Sequence, residues 1–293
     1  MRYAIVVGVI LLACTGLLIP SVARVREAAG HSTCCDHFKQ IAVAVHNYAS
    51  ANQDKLPDGA YNPNPRLPNP LPLERRLSCH VLLLPYLEQD RTYRLFALDA
   101  AADDERNRLA TSVRFRGLCC PSSGELKVRN GGVGNPVTGE FVYPGGDAAW
   151  KSPGPVTHYI GVAGVGANAA ALDPDDPRAG LFGNHPRWTI TNVPDGTAHT
   201  LMFFESALDP GHWAYAGRST VRGIDTDESP FVGEGRPIGG FHSTRDGWFA
   251  SRRHQAIVAM GDGSIPTITD RISPEVLAAF ATANGHEKIP EGW

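Results

Sequence analysis

Residues 3–52 read YAIVVGVILLACTGLLIPSVARVREAAGHSTCCDHFKQIAVAVHNYASAN, and this stretch decides the fold. From Tyr3 to Ile19 every residue is apolar or small, and none is charged. Beyond Pro20, apolar residues recur at roughly the spacing of one helix face. They are Val22, Val25, Ala29, Phe38, Ile41, Val45 and Tyr48. The pattern predicts one long helix in two parts, the first embedded in a membrane and the second docked on a soluble domain.

This helix divides the chain into three predicted parts. Residues 1–23 form a membrane anchor or signal helix, residues 24–52 its amphipathic continuation, and residues 53–293 an exported globular domain. Ile41 and Val45 need an apolar surface, and a sheet with one covered face offers it. Glycine and proline are frequent, at 31 and 23 residues, so long loops are expected around the sheet. The predicted fold is therefore α+β, with a long N-terminal helix on an antiparallel sheet.

The first residues allow three readings of how the chain is exported. The seventeen residues from Tyr3 to Ile19 are close to the shortest run that spans a hydrocarbon core, so a retained anchor is the first reading. The second is a signal peptide cleaved after Ala23, because Ser21, Val22 and Ala23 include small residues where a signal peptidase reads. The third is a lipoprotein lipidated at Cys14. All three predict that the rest of the chain lies outside the cytoplasm, held in the first reading by a single membrane pass.

The composition argues against a nucleic-acid partner. The formal net charge is −3, and no run of Lys and Arg exceeds two residues, so no basic footprint is visible. The apolar fraction of 42% is ordinary and predicts a packed core.

Six cysteines are the next feature, and they are Cys14, Cys34, Cys35, Cys79, Cys119 and Cys120. None forms a C-x-x-C pair and no His-x3-His accompanies them, so their spacing gives little support for a zinc site. Export makes a disulfide plausible, joining Cys34 or Cys35 to Cys119 or Cys120. We name Cys34 and Cys120 as the pair, with free, partly buried thiols as the alternative.

A series of short motifs connects the whole chain to one family. The motifs are LLIPSVARVREAA at 17–29, CCDHFKQ at 34–40, HNY at 46–48, LLLPYLEQ at 82–89, CPS at 120–122, YIGVAG at 159–164, DGT at 195–197 and DGS at 262–264. Their order resembles that of a large bacterial family of prepilin-like proteins of unknown function. Each motif is weak alone, and the ordered set is specific.

The resemblance implies a pilin-like fold, with the second half of the first helix covering one sheet face. It also implies other pilin-like subunits, or further copies of this chain, as partners. The chain departs from the family at both ends. Tyr3 stands about where the glutamate of the prepilin processing signal is expected. In the closing His-x9-Asp-Gly motif, Arg252 occupies the histidine position, and His254 follows two residues later.

The sequence offers several nucleophiles and bases without a catalytic motif. The histidines considered are His158, His199, His242 and His254, which are scattered among predicted strands. Cys119-Cys120-Pro121 is interpreted as a structural cysteine at a loop start, with a reactive thiol as the alternative. Glu205 ends an apolar strand, where it either pairs with a nearby cation or caps a buried network. No catalytic residue is predicted, and a hydrolase that uses Cys120 or a histidine–carboxylate pair is the minor alternative.

Acidic loop residues raise the question of a calcium site. The candidates are Asp173, Asp175, Asp176, Asp225 and Asp227. Calcium takes six to eight oxygen ligands, but no EF-hand spacing is present, so the main reading is solvated loop carboxylates. Asp262 and Gly263 are interpreted as a hairpin turn, because Asp-Gly tolerates positive φ.

Taken together, the sequence predicts a non-enzymatic, membrane-anchored, exported protein that resembles a pilin or pseudopilin subunit. No cofactor is predicted. An exported ligand- or calcium-binding protein is the alternative from a different class, and the exported hydrolase is the third.

Overall fold

A computed structural model describes residues 2–63, 71–123, 133–134, 140–142, 152–153, 155–185, 188–227, 229–244, 253–287 and 289. In these residues the helices are α1 (Arg2–Ala51), α2 (Cys79–Leu83), α3 (Asp90–Tyr93), α4 (Arg108–Thr111) and α5 (Pro274–Ala281). The strands are β1 (Ala60–Tyr61), β2 (Leu77–Ser78), β3 (Val133–Gly134), β4 (Glu140–Val142), β5 (Ser152–Pro153), β6 (Val156–Thr157), β7 (Tyr159–Val165), β8 (Leu201–Glu205), β9 (Gly211–His212), β10 (Val221–Ile224), β11 (His242–Thr244), β12 (Arg253–Met260) and β13 (Thr267–Thr269). The fold is mixed α+β.

Helix α1 is one continuous element that spans both predicted parts of the N-terminal stretch. Its side chains are described from residue 24 onwards and at Val22. No helix among the described residues is both long enough and apolar enough to span a lipid bilayer. The membrane-embedded part of α1 therefore stays a prediction from the sequence.

The second half of α1 docks on the sheet through one buried stripe. The buried positions follow one another three or four residues apart, which is the spacing of a single helix face. They are Cys34, Phe38, Ile41, Val45 and Ala49, and the small side chains of Ala42 and Ala44 beside them are buried too. The stripe contacts β12 and the turn at Leu84–Leu87, whereas Val43, on another side of the helix, is 46% exposed. The predicted docking face is thus confirmed at Phe38, Ile41 and Val45. The predicted face also included Val22, Val25 and Ala29, which are exposed because the docked part of the helix does not extend back to them, and Tyr48, which is half-buried.

The central sheet has the strand order β10-β7-β8-β12-β11, and β13 pairs with β12 outside this path. Four of its five strand pairings are antiparallel, as predicted. The pairing of β10 with β7 is parallel, so the prediction of a purely antiparallel sheet is wrong at this edge. A parallel neighbour requires a long crossover, and the chain between β7 and β10 includes β8 and β9.

The sheet is covered on both faces, whereas the sequence predicted one covered face. Along β12, Ile257 and Ala259 belong to the core cluster that contains the α1 stripe. The alternate residues, such as Val258, belong to a second cluster, in which Val276 and Leu277 of α5 lie. Because α5 is amphipathic and packs against β7, it buries the face that α1 does not reach. The result is a helix–sheet–helix arrangement.

The last hairpin and helix follow the local sequence signals. Asp262 and Gly263 lie in the turn between β12 and β13, and Gly263 has φ +82°, a conformation that favours glycine. Asp262 accepts a hydrogen bond from the backbone N–H of Ser264 at 2.8 Å. At the start of α5 the hydroxyl of Ser273 accepts from the N–H of Val276, which satisfies one free donor of the first turn.

Two valines of α1 provide a matched test of the docking. Val45→Ala removes two fully buried methyl groups, so we expect the free energy of unfolding to fall by about 2 kcal/mol. Val43→Ala makes the same chemical change on an exposed position and is expected to shift it by less than about 0.5 kcal/mol. Urea denaturation of the full chain measures both. Equal losses would mean that α1 does not dock through this face.

Candidate functional site

Cys34 and Cys120 join α1 to the rest of the fold. Cys34 lies on the buried stripe of α1, and Cys120 follows the short turn at Arg116–Leu118. The two sulfurs lie at disulfide distance, with the Cα atoms 5.5 Å apart and a sequence separation of 86. Among the open pairings of the sequence analysis, this is the pair found. Both residues are almost completely buried.

Two further polar side chains lie against this disulfide. His242, at the start of β11, has its Nε2 atom 3.4 Å from Sγ of Cys120. The same Nε2 atom is 3.5 Å from Oε2 of Glu205, the last residue of β8. The side chain of His242 is 2% exposed and that of Glu205 is fully buried. Cys34, Cys120, Glu205 and His242 are named the buried cluster below.

Glu205 is held by a hydrogen bond from a backbone N–H that the sheet leaves unpaired. Strand β12 pairs with β11 over Arg253–Gln255 and with β8 over Val258–Met260, so the N–H of Ile257 lies between the two ladders. This N–H donates to Oε1 of Glu205 at 3.1 Å. The carboxylate therefore satisfies a backbone donor, which agrees with the predicted cap of a buried network.

The other atoms of the buried cluster are less well satisfied. Oε2 of Glu205 and Nδ1 of His242 are both buried, and neither has a hydrogen-bond partner among the residues that the structure describes. Burying a carboxylate is costly unless it is paired or bound to a metal. One ligand atom from each of the four residues lies within 4.8 Å of the others, so these side chains can converge on one cation.

More histidines surround the buried cluster. The ring of His31 packs edge-on against that of His242, with centroids 5.1 Å apart. Burial is the main cause that lowers the pKa of His31, followed by the charge of His242. His158 accepts a hydrogen bond at Nδ1 from the N–H of Cys120, and burial lowers its pKa to about 4. His158 is therefore a neutral acceptor at neutral pH.

The unpaired thiols are not activated. Within the described side chains, Cys35, Cys79 and Cys119 are free. Burial raises the pKa of Cys79 to about 12 and that of Cys119 to about 11. Burial is also the main cause that raises the pKa of Cys35, with the Glu205 charge next. A nucleophilic cysteine needs a lowered pKa, so these thiols are unlike catalytic ones.

The buried cluster does not have the geometry of a catalytic triad. In a triad the base uses one ring nitrogen for the nucleophile and the other for the orienting carboxylate. Here the sulfur of Cys120 and the carboxylate of Glu205 both face Nε2 of His242. The sulfur of Cys120 is also bonded to that of Cys34, so it is not a free nucleophile, and the site is closed to solvent.

The calcium candidates do not converge on a shared point. Asp176 forms an ion pair with Arg178 at 2.9 Å, and Asp225 accepts a hydrogen bond from the N–H of Asp227. Within the described part of the chain, the only convergent group of possible metal ligands is the buried cluster, and it includes neither Asp173 nor Asp175. His199 and His254 are also outside it, and Arg252 lies outside the described residues.

Sequence reasoning named each member of the buried cluster without bringing them together. Its members come from four distant positions, two of them at the ends of strands that meet on β12. Spacing rules such as C-x-x-C detect ligands that are close in sequence. The one available signal was Glu205, a carboxylate at the end of a strand whose other residues are all apolar.

Comparisons with known proteins place the chain in a family and no further. The model of the family described as "Protein of unknown function (DUF1559)" matches residues 23–275. No curated protein and no solved structure matches the chain.

Buried neutral histidines make stability depend on pH. Burial lowers the pKa of His80 from 6.5 to about 4, and that of His212 likewise. Below pH 6.5 the unfolded chain binds protons that the folded chain takes up only near pH 4, so the free energy of unfolding falls between these values. The loss is at most about 3 kcal/mol for each histidine. Burial raises the pKa of Asp58 from 3.8 to about 6. The folded chain therefore binds this proton first as the pH falls, which raises the free energy of unfolding and offsets part of the loss.

Thermal melts from pH 7.5 to 4.5 test this dependence. We expect Tm to fall steadily below pH 6.5, and His80→Gln to flatten the slope. His199→Gln is the matched control, because this side chain is exposed and its loss should leave the slope unchanged. A Tm independent of pH in the native chain would contradict buried, neutral histidines.

The disulfide makes a separate prediction. Because it closes a long loop in the unfolded chain, Cys34→Ala with Cys120→Ala should lower the free energy of unfolding by about 2–4 kcal/mol. The double variant Cys35→Ala with Cys119→Ala removes two neighbouring thiols without a cross-link and should cost clearly less. Urea denaturation with a count of free thiols measures both. Equal costs in the two double variants would contradict the pairing.

Proposed function

The chain belongs to the family described as a protein of unknown function (DUF1559), and we propose that it is a non-enzymatic, exported protein of pilin-like build. In this proposal α1 holds a globular head at the membrane. The head presents an interaction surface to other pilin-like subunits or to further copies of the chain. Nucleic acid is not a partner in this proposal.

The observation that carries the proposal is the length of α1 beyond its docked part. The buried stripe begins at Cys34, but the helix begins at Arg2. Residues 24–29 are all exposed, with Val25 68% exposed. At 1.5 Å per residue, the 50-residue helix is about 75 Å long. A helix that leaves its domain in this way is suited to carry that domain on a stalk.

The sequence of the stalk supports a membrane as its environment. The run from Tyr3 to Ile19 carries no charge, and such a run is stable when lipid or other apolar helices cover it. The disulfide-distance pair Cys34–Cys120 supports an oxidising compartment for the head, because disulfides are rare in the cytosol.

The two other readings receive less support. A hydrolase needs a nucleophile and a base that substrate can reach, and the buried cluster is closed and disulfide-bonded. A calcium-binding head needs converging oxygens, which the loop aspartates in the described residues do not supply. The non-enzymatic reading is thus the one that the described geometry favours.

Membrane fractionation combined with intact mass tests the proposal. We expect the chain in the membrane fraction, resistant to alkaline carbonate and released by detergent, with the mass of the uncleaved helix. Ile10→Arg puts a charge in the middle of the apolar run, at a cost of about 3 kcal/mol for insertion, and should weaken membrane retention. Val25→Arg makes a similar change on the exposed part of the helix and should leave retention unchanged.

Two masses would contradict a retained helix. A chain that lacks its first 23 residues would be a secreted protein released by a signal peptidase. A chain that begins at Cys14 with added acyl mass would be a lipoprotein, whose anchor is the lipid and not the helix.

A further inference from the structure

We propose that reduction of the Cys34–Cys120 disulfide converts the buried cluster into a four-ligand zinc site. The ligands are the two thiolates, Nε2 of His242 and Oε2 of Glu205. Disulfide and zinc are then alternative ways to cross-link α1 to the head. This inference goes beyond the proposed function and does not depend on where the chain resides.

The ligand set and its spacing fit zinc. Thiolate, imidazole and carboxylate are the groups that bind zinc in proteins, and structural sites take four of them in a tetrahedron. With bonds of about 2.0–2.3 Å, the ligand atoms of such a site lie about 3–4 Å apart. The four ligand atoms here lie within 4.8 Å of one another. Side-chain shifts of about 1 Å therefore suffice to close the shell.

The unsatisfied carboxylate oxygen points to a cation. Oε2 of Glu205 is buried, has no hydrogen-bond partner in the described structure and faces Nε2 of His242. Its other oxygen is fixed by the N–H of Ile257, which orients the carboxylate toward the cluster. Backbone groups that orient a ligand in this way are typical of metal sites. The disulfide does not use this oxygen, but zinc would.

The net charge of the buried cluster also favours the exchange of the disulfide for zinc. The S–S bond carries no charge, and a zinc dication with two thiolates also sums to zero. Because the net charge is equal, the closed interior need not accept an additional one when zinc replaces the disulfide.

The exchange balances in atoms and electrons with a dithiol as reductant. The dithiol supplies two electrons and two protons, the S–S bond between Cys34 and Cys120 breaks, and the dithiol becomes a disulfide. Zinc then binds both sulfurs and releases the two thiol protons to solvent. Thiolates are the zinc-binding form, so zinc uptake must release protons.

The zinc form would hold the same elements as the disulfide and two more. Cys34 belongs to α1, Cys120 follows Arg116–Leu118, Glu205 ends β8 and His242 begins β11. A reduced chain would thus keep α1 attached to the sheet, and zinc bound only to the folded state would raise its stability.

Metal uptake by the reduced full chain in detergent tests the site. The protein is reduced with dithiothreitol, desalted without oxygen and titrated with cobalt(II) or zinc(II). We expect one cobalt per chain, with thiolate-to-cobalt charge-transfer absorption and the intense visible bands of tetrahedral cobalt. Native mass spectrometry should show one zinc gained and two protons lost. The Tm of the reduced chain should rise with zinc.

The oxidised native chain is the first control, because it keeps the fold while its two ligand sulfurs are blocked. It should show no thiolate-to-cobalt band. Among reduced variants, Glu205→Gln and Cys34→Ser should weaken zinc binding at least about tenfold. Cys35→Ser and Cys119→Ser change the neighbouring thiols and should bind as the native chain does.

Three results would overturn the proposal. The first is a reduced native chain that gives no thiolate-to-cobalt band. The second is a band of equal strength in the oxidised chain. The third is a loss of the band in Cys35→Ser or Cys119→Ser as complete as in Cys34→Ser, because that result would show that the metal binds other thiols.

Discussion

The docking of α1 on the sheet is the interaction on which the rest of the structure depends. A stripe of apolar side chains from Cys34 to Ala49 covers one face of β12 and its neighbours, and Cys34 adds a covalent link at the start of that stripe. The helix needs the sheet, because an isolated apolar stripe is unstable in water. The sheet also depends on the helix, because the residues of β12 on that face belong to the same core cluster as the stripe. Removing either would expose the larger of the two core clusters.

Burial of polar groups is the second constraint, and it explains the character of the site. Glu205 sits where two ladders on β12 leave a gap, and its carboxylate fills that gap by accepting from Ile257. The other carboxylate oxygen, Oε2, is left without a hydrogen-bond partner in the described structure. Neutral histidines avoid this penalty by making hydrogen bonds without a charge. Nε2 of His80 donates to the carbonyl of Tyr159, and Nδ1 of His158 accepts from the N–H of Cys120. The polar groups of the buried cluster thus lie at the Cys34 end of the interface between helix and sheet, closed to water.

Local sequence signals predicted the parts of the fold that depend on neighbouring residues. The period of Phe38, Ile41 and Val45 predicted the docking face, and Ser273 with Pro274 predicted the start of α5. The parallel edge at β10 and the second covered face were not predicted, because both depend on contacts between distant segments. The buried cluster escaped prediction for the same reason. Each of its members was visible in the sequence, but their meeting is decided by the register of three strands and one helix.

The position of the disulfide also determines how the molecule carries mechanical load. Among the residues of α1 whose side chains are described, Cys34 is the first that is buried, so it lies near the point where the helix leaves the head. A pull on the free end of α1 reaches Cys34 and passes through the covalent link directly to Cys120. The segment of chain between these two cysteines then carries none of the force, because the disulfide bypasses it. The docked stripe, α2 and the turns around it are thus sheltered from tension, and the head resists extraction by bond strength where packing alone would yield.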